Sequence, residues 1–153
     1  MRLRDVLEQK SKDVRSISSQ SSCAEVVAQL VRFNIGSLIV RDEPGSPVLG
    51  IITERDILRA HAKHGATLDQ LPVASIMSRE LVTAKPEDDI QEAMRLMTIH
   101  RIRHLPVIQD KELVGLVSIG DVVKAKHDEL ERENHDMRSY IQGGGSSVVA
   151  PLG

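Results

Sequence analysis

The sequence predicts an α/β (α+β) fold: two β-α-β-β-α repeats packed with pseudo-two-fold symmetry, followed by a long C-terminal helix. Three observations lead there. First, the chain resembles itself. Asn34-Ile35-Gly36-Ser37-Leu38-Ile39-Val40 aligns with Arg101-Ile102-Arg103-His104-Leu105-Pro106-Val107, 67 residues on. Gly50-Ile51-Ile52-Thr53-Glu54-Arg55-Asp56-Ile57 aligns with Gly115-Leu116-Val117-Ser118-Ile119-Gly120-Asp121-Val122, 65 residues on. Second, short β-rich apolar runs alternate within each copy with stretches of helical period. Third, one copy of about 45–60 residues is marginal by itself, so the copies are expected to pack on each other.

Met1–Glu8 reads as a short amphipathic lead-in, with Leu3, Val6 and Leu7 apolar. Copy one then opens with an extended lead, Arg15-Ser16-Ile17, and copy two with Val82-Thr83-Ala84. Ser21-Ser22 and Pro86-Glu87-Asp88 are helix-start signals, the second with proline and acids in the first turn. Cys23, Val26, Val27 and Leu30 are spaced 3, 1, 3, and Ile90, Ala93, Met94 and Met97 repeat that spacing, so each set marks an apolar helix stripe. Strands follow at Ser37–Val40 and Leu105–Ile108, then at Val48–Ile52 and Leu113–Val117. Both are nearly all apolar, which predicts covered faces. The two extra residues of copy one fall in Asp42-Glu43-Pro44-Gly45-Ser46-Pro47, which has turn chemistry. Thr53 and Ser118 begin the second helices. Gly65 is the expected C-cap of the first of these. Ile119 to about Ile141 reads as one long helix in which Val123, Leu130 and Met137 stand seven apart. The expected divisions are repeat one at 6–65, a linker at 66–72, repeat two at 73–126, a helical extension at 127–142 and a flexible tail at 143–153.

Composition removes several function classes. Lys plus Arg is 20 and Asp plus Glu is 22, a formal net charge of −2, so there is no global basic coat for nucleic acid. Phe33 and Tyr140 are the only aromatic residues, too few for base stacking on single strands. Cys23 is the only cysteine and makes no internal disulfide. No apolar run reaches the ~18 residues of a membrane span, and Met1–Asp5 has no signal core. A cytoplasmic protein without a membrane segment is expected. His61 with His64, and His100 with His104, suggest no third metal ligand. Gly143-Gly144-Gly145 has no strand before it and no helix after it, unlike a phosphate loop. No nucleophile-base-acid set is visible, so neither catalysis nor a catalytic cofactor is expected.

The duplicated motif is the chemistry that remains. Thr53-x-x-Asp56 and Ser118-x-x-Asp121 both follow a Gly-apolar-apolar strand end and open a helix. At its plainest each is a capping box, in which hydroxyl and acid satisfy free backbone N–H groups. A carboxylate with spare lone pairs at such a strand-to-helix mouth also suits the cis-diol of a ribose. Near it, His100-Arg101-Ile102-Arg103-His104-Leu105-Pro106 interleaves cations for phosphate with apolar residues for a flat base. The matching Asn34–Ser37 is uncharged. A solvated positive rim is the bland alternative.

These motifs together resemble a tandem pair of CBS domains, the Bateman module, over about Val6–Lys126. The resemblance implies two clefts between the repeats that bind adenosyl ligands: AMP, ADP or ATP, and in some members NAD or S-adenosylmethionine. It implies one cleft built from Ser16, Ile35, Gly36, Ser37, Leu38, Thr53, Arg55 and Asp56. The other would use Thr83, Ile102, Arg103, His104, Leu105, Pro106, Ser118 and Asp121. Copy one departs at Ile39, where copy two has Pro106; copy two departs at Gly120, where copy one has Arg55. The functional expectation is a stand-alone regulatory sensor of adenine nucleotides, a homodimer through its helices, read by an effector protein. The rival is a dimerising adaptor whose capping boxes only cap.

Overall fold

The structure is a computed structural model that describes residues 1–10 and 13–143, so the tail expected at 143–153 lies, apart from Gly143, outside the described residues. The elements run α1 (Leu3–Glu8), β1 (Ser16–Ile17), α2 (Cys23–Phe33), β2 (Ser37–Val40), β3 (Gly50–Thr53) and α3 (Glu54–His64). They continue with α4 (Ile90–His100), β4 (His104–Gln109), β5 (Glu112–Ser118) and α5 (Ile119–Gly143). In the first repeat β1 pairs parallel with β2, and β2 pairs antiparallel with β3. In the second, β4 and β5 pair antiparallel. The expected lead strand at Val82-Thr83-Ala84 is reduced to one parallel bridge, Ala84 to Val107. The linker is also not a plain connection. Gly65–Gln70 forms a 3₁₀ helix whose Leu68 packs with Cys23 and Ala60.

Local chemistry sets the helix ends. Ser22 caps α2 by accepting from Glu25 N–H at 3.3 Å, and Asp89 caps α4 by accepting from Gln91 N–H at 2.8 Å. Both helices stop on a left-handed residue, Asn34 (φ 50°) and Arg101 (φ 53°), at matching places in the repeat. Cys23, Val26 and Leu30 of α2 are buried, as are Ile90, Ala93 and Met97 of α4. Val27 and Met94, placed on the same stripes by their spacing, are instead more than a third exposed. The stripe is narrower than the spacing suggests, with about one residue per turn buried on each helix. The apolar strands divide likewise. β2 is buried throughout, whereas β5 buries only Gly115 and Val117 fully, its other face bordering the space between the repeats.

The lead segments cross over. α1 precedes repeat one but packs in the core of repeat two, where Leu3 and Val6 join Ile90, Leu105, Val107, Val117 and Val122. Val73 and Met77, from the segment expected to lead into copy two, complete the core of repeat one with Ile17, Val26, Leu38 and Ile52, and Ala74 packs against them. The hydrogen bonds match pair by pair. Leu3 N–H donates to Asp88 C=O at 2.9 Å, and Val73 N–H to Ser21 C=O at 2.8 Å. Ile90 N–H donates to Met1 C=O at 3.1 Å, and Cys23 N–H to Leu71 C=O at 2.9 Å. Two glycines admit these segments. A Cβ on Gly115 would lie 2.5 Å from Leu7 Cδ2, and one on Gly50 would lie 2.5 Å from the Ser78 carbonyl. Each repeat therefore holds a piece of chain that belongs by sequence to the start of the other.

Candidate functional site

Both Ser/Thr-x-x-Asp motifs form capping boxes. Asp56 N–H donates to Thr53 Oγ1 at 3.3 Å while Thr53 N–H donates to Asp56 Oδ2 at 2.9 Å. Asp121 N–H donates to Ser118 Oγ at 3.1 Å while Ser118 N–H donates to Asp121 Oδ2 at 2.9 Å. The sequence makes the two boxes alike; their surroundings differ.

Asp121 borders a cavity of about 460 Å³, within the size range of small-molecule sites. Repeat two supplies His104, Leu116, Ser118 and Asp121 to its wall. Repeat one supplies Asn34, Ile35, Gly36 and Ser37, from the turn between α2 and β2. The N-terminal segment adds Leu7, Glu8 and Lys10. Six of the sixteen sequence-predicted residues thus meet here: Ile35, Gly36, Ser37, His104, Ser118 and Asp121. They come from both repeats, so the expected grouping, one repeat to one cleft, gives way to a crossed one. Antiparallel packing of the repeats sets the strand approach of one against the helix mouth of the other.

The site is polar at one end. Lys10 Nζ donates to Asp121 Oδ2 and to the Leu116 carbonyl, both at 2.7 Å. Burial alone would raise the Asp121 pKa. The hydrogen bonds and charge of Lys10, with those from Ser118, outweigh it and hold the carboxyl below the usual carboxylate range. Among the described residues, every hydrogen bond to this carboxylate ends on Oδ2, and Oδ1 takes none. Burial pushes the His104 imidazole down from its usual pKa; Glu54 and Asp121 pull the other way without prevailing. Gly36 faces that ring. A Cβ at this position would lie 3.1 Å from the His104 Cε1 and Nε2 atoms.

At the related corner the Asp56 carboxylate is engaged by its own repeat and by the segment that follows it. Ser78 pairs with Ile51 through N–H···O=C bonds of 2.8 and 2.9 Å. Its Oγ donates to Asp56 Oδ1 at 3.1 Å, and Thr53 Oγ1 donates to Oδ2 at 3.2 Å. Both carboxylate oxygens are engaged. Arg55 Nη1 reaches across the repeats to the Arg101 carbonyl at 3.3 Å. Ile102 is half-buried and Arg103 exposed. Leu38 and Leu105 are wholly buried in the two cores and Pro106 is buried in β4, so their side chains pack the fold. Ser16 and Thr83 are exposed. Lys10 and Leu116 line the cavity without being among the site residues the sequence singles out. Lys10 belongs to no motif, and only the crossing of α1 onto repeat two brings it to Asp121.

Two segments, residues 3–63 and 73–128, match the CBS domain family. The chain belongs to the CBS-domain family. Its CBS pair is 40% identical over 148 residues to a mitochondrial CBS domain-containing protein of Arabidopsis thaliana, covering 92% of this chain and 71% of that one. A crystal structure of a CBS-domain-containing protein from Agrobacterium tumefaciens superposes with a TM-score of 0.79 at 37% identity, covering 82% of this chain and 99% of that one. The CBS domain pair of protein MJ0100, solved in complex with 5′-methylthioadenosine and S-adenosyl-L-methionine, has a TM-score of 0.72 at 27% identity, covering 84% of this chain and 98% of that one. Among the described residues no helix is long and apolar enough to cross a membrane. None of these residues form a group of three His, Cys, Asp or Glu that could hold a metal ion.

Proposed function

We propose that this CBS pair is a non-catalytic sensor that binds an adenine nucleotide in the cavity beside Asp121. The observation that carries the reading is the crossed site itself: a capped carboxylate of which one oxygen takes no hydrogen bond among the described residues, sharing a cavity with a glycine-containing strand approach from the other repeat. Asp121 Oδ1 takes the ribose diol. Ile35 and Leu116 flank the base, and backbone groups around Gly36 read its edge. Lys10, already a charged donor at this end, turns to the ligand's anionic group. AMP, ADP and ATP are the ligands put forward, with NAD and S-adenosylmethionine as further members of the class. The relative bound to two adenosyl compounds supports the class.

Because the cavity is walled by both repeats and the N-terminal segment, a ligand there ties three parts of the chain together. It signals to the extent that it binds one arrangement of them better than another. Val123, Leu130 and Met137 lie exposed on α5, which supports a homodimer through this helix, and an effector protein reads the change. The same stripe favours the second reading, a ligand-independent dimerising adaptor. The sensor reading puts the protein in the cytoplasm, and the mitochondrial relative makes imaging of the tagged protein the check on that. Thermal unfolding with AMP, ADP, ATP, NAD and S-adenosylmethionine separates sensor from adaptor. A ligand at 100 times its Kd adds about 2.7 kcal/mol; no shift with any of them leaves the adaptor.

A further inference from the structure

α5 continues to Gly143, whereas the segment that matches the family ends at residue 128. Val122 and Ala125 bury its first turns in the body, so the helix beyond them grows from a formed end. Val123, Leu130 and Met137 recur every seven residues, and His127, Asn134 and Ile141 each stand four residues after one of them. The six make a heptad seam, the first three at d positions and the others at a. All six are exposed. Val122 and Ala125 fall at c and f, so the seam points away from the body on which the helix rests.

The charges beside the seam distinguish one pairing from another. Lys126 and Glu133 precede a residues, at g; Lys124, Glu131 and Arg138 follow d residues, at e. In a parallel pair of helices g of one chain meets the next e of the other. Lys126 then meets Glu131, and Glu133 meets Arg138, each twice by symmetry. Asn134 meets Asn134 of the second copy, amide to amide. In the antiparallel pair that overlaps the whole seam, e meets e and g meets g. Glu131 and Glu133 would each face its own copy, Lys124 would face Arg138, and Asn134 would face Leu130. Among the described residues Lys126, Glu133 and Arg138 have no ion-pair partner in their own chain, and Glu131 has only the exposed His127, at 3.4 Å.

We propose that α5 docks on α5 of a second copy as a parallel, in-register two-stranded coiled coil. Asn134 forms its polar layer, and the alternating g and e charges fix its direction. The inference rests on the reading of α5 as the dimer contact and deepens it, since that reading leaves the direction open. Asp121 lies in the first turn of the same helix, so the parallel coil places the two Asp121 cavities at one end of the dimer.

The whole chain carrying Ile141→Cys is oxidised, and free thiols are blocked before unfolding. The wild type, whose single Cys23 is buried, is the control. Parallel helices set the two introduced thiols side by side, and a disulfide-linked dimer is expected. Antiparallel helices would hold them about 27 Å apart, too far for a disulfide. Chains with Val123→Cys mixed with chains with Ile141→Cys would then link only to each other. In sedimentation, Glu133→Lys should raise the dimer dissociation constant about fivefold, and adding Arg138→Glu should recover it. Absence of linkage through position 141 in a dimeric sample, or no recovery in the double variant, overturns the parallel coil and leaves the dimer reading standing. A wild-type chain that sediments as a monomer at every concentration overturns both.

Discussion

Lys10 and Asp121, 111 residues apart in the chain, meet at 2.7 Å across the seam where the N-terminal segment crosses onto the second repeat. The contact joins the site to the fold. It holds the mouth of α5 against the segment that follows α1, and among the described residues no hydrogen bond reaches the second oxygen of the carboxylate.

Acid should reveal this pair. The folded pKa of Asp121 lies below its ordinary value, so its contribution is full above about pH 4 and is lost as pH falls through the folded pKa. The gap between the urea midpoints of wild type and Asp121→Asn should be present at pH 7 and should narrow as the pH falls below the ordinary carboxylate range. A gap that stays the same at pH 2 contradicts the assignment.

The crossing of the lead segments predicts where core damage appears. Leu3→Ala should cost about 2–5 kcal/mol, as for other buried leucines, and should speed amide exchange in β4 and β5. Val73→Ala should speed exchange in β2 and β3 instead. The opposite assignment, each segment loosening its own repeat, refutes the crossing.

The two admitting glycines should respond differently. Gly115→Ala drives a methyl against the Leu7 side chain and should destabilise by about 1–3 kcal/mol; adding Leu7→Ala should recover part of that loss. Gly50→Ala drives a methyl against the Ser78 carbonyl, a backbone atom, so Met77→Ala should recover little. Equal recovery in the two double variants, followed by thermal melts, argues against the stated contacts.

Beyond the second repeat α5 stands clear of the body, and every residue from Leu130 to Ile141 is exposed. Leu130→Asp should shift sedimentation of a dimer toward the monomer without lowering the monomer's melting temperature. An unchanged profile from a dimeric sample rules out α5 as the contact.

What the sequence made legible was local. Repeat period, capping boxes and apolar stripes depend on residues a few positions apart, and most of the elements and the family follow from them, although Pro86-Glu87-Asp88 precede the helix they were expected to open: α4 begins at Ile90 with Asp89 as its cap. The crossing was hidden because Leu3 and Val73 look the same whichever core receives them. That one unseen step brings Lys10 to Asp121; the regrouped cleft, in which Ser118 and Asp121 share a cavity with Ile35–Ser37, depends on how the two repeats pack, which local spacing does not show. The crossing also explains why identical motifs have unlike surroundings. Ser78, from one crossing segment, occupies Asp56 on both sides with Thr53, whereas Lys10, from the other, shares Oδ2 of Asp121 with the Ser118 N–H. Leu38, Leu105 and Pro106 were legible as apolar strand residues, but periodicity does not distinguish a cleft wall from a core.

The ribose assignment of Asp121 is tested most directly by calorimetry with AMP and 2′-deoxy-AMP on wild type and Asp121→Asn. Wild type should bind AMP at least about tenfold more tightly than the deoxy compound, the loss of one hydrogen bond to a charged group, and Asp121→Asn should erase the preference. Equal affinities in the wild-type chain, or a preference that survives the substitution, would contradict a carboxylate holding the sugar.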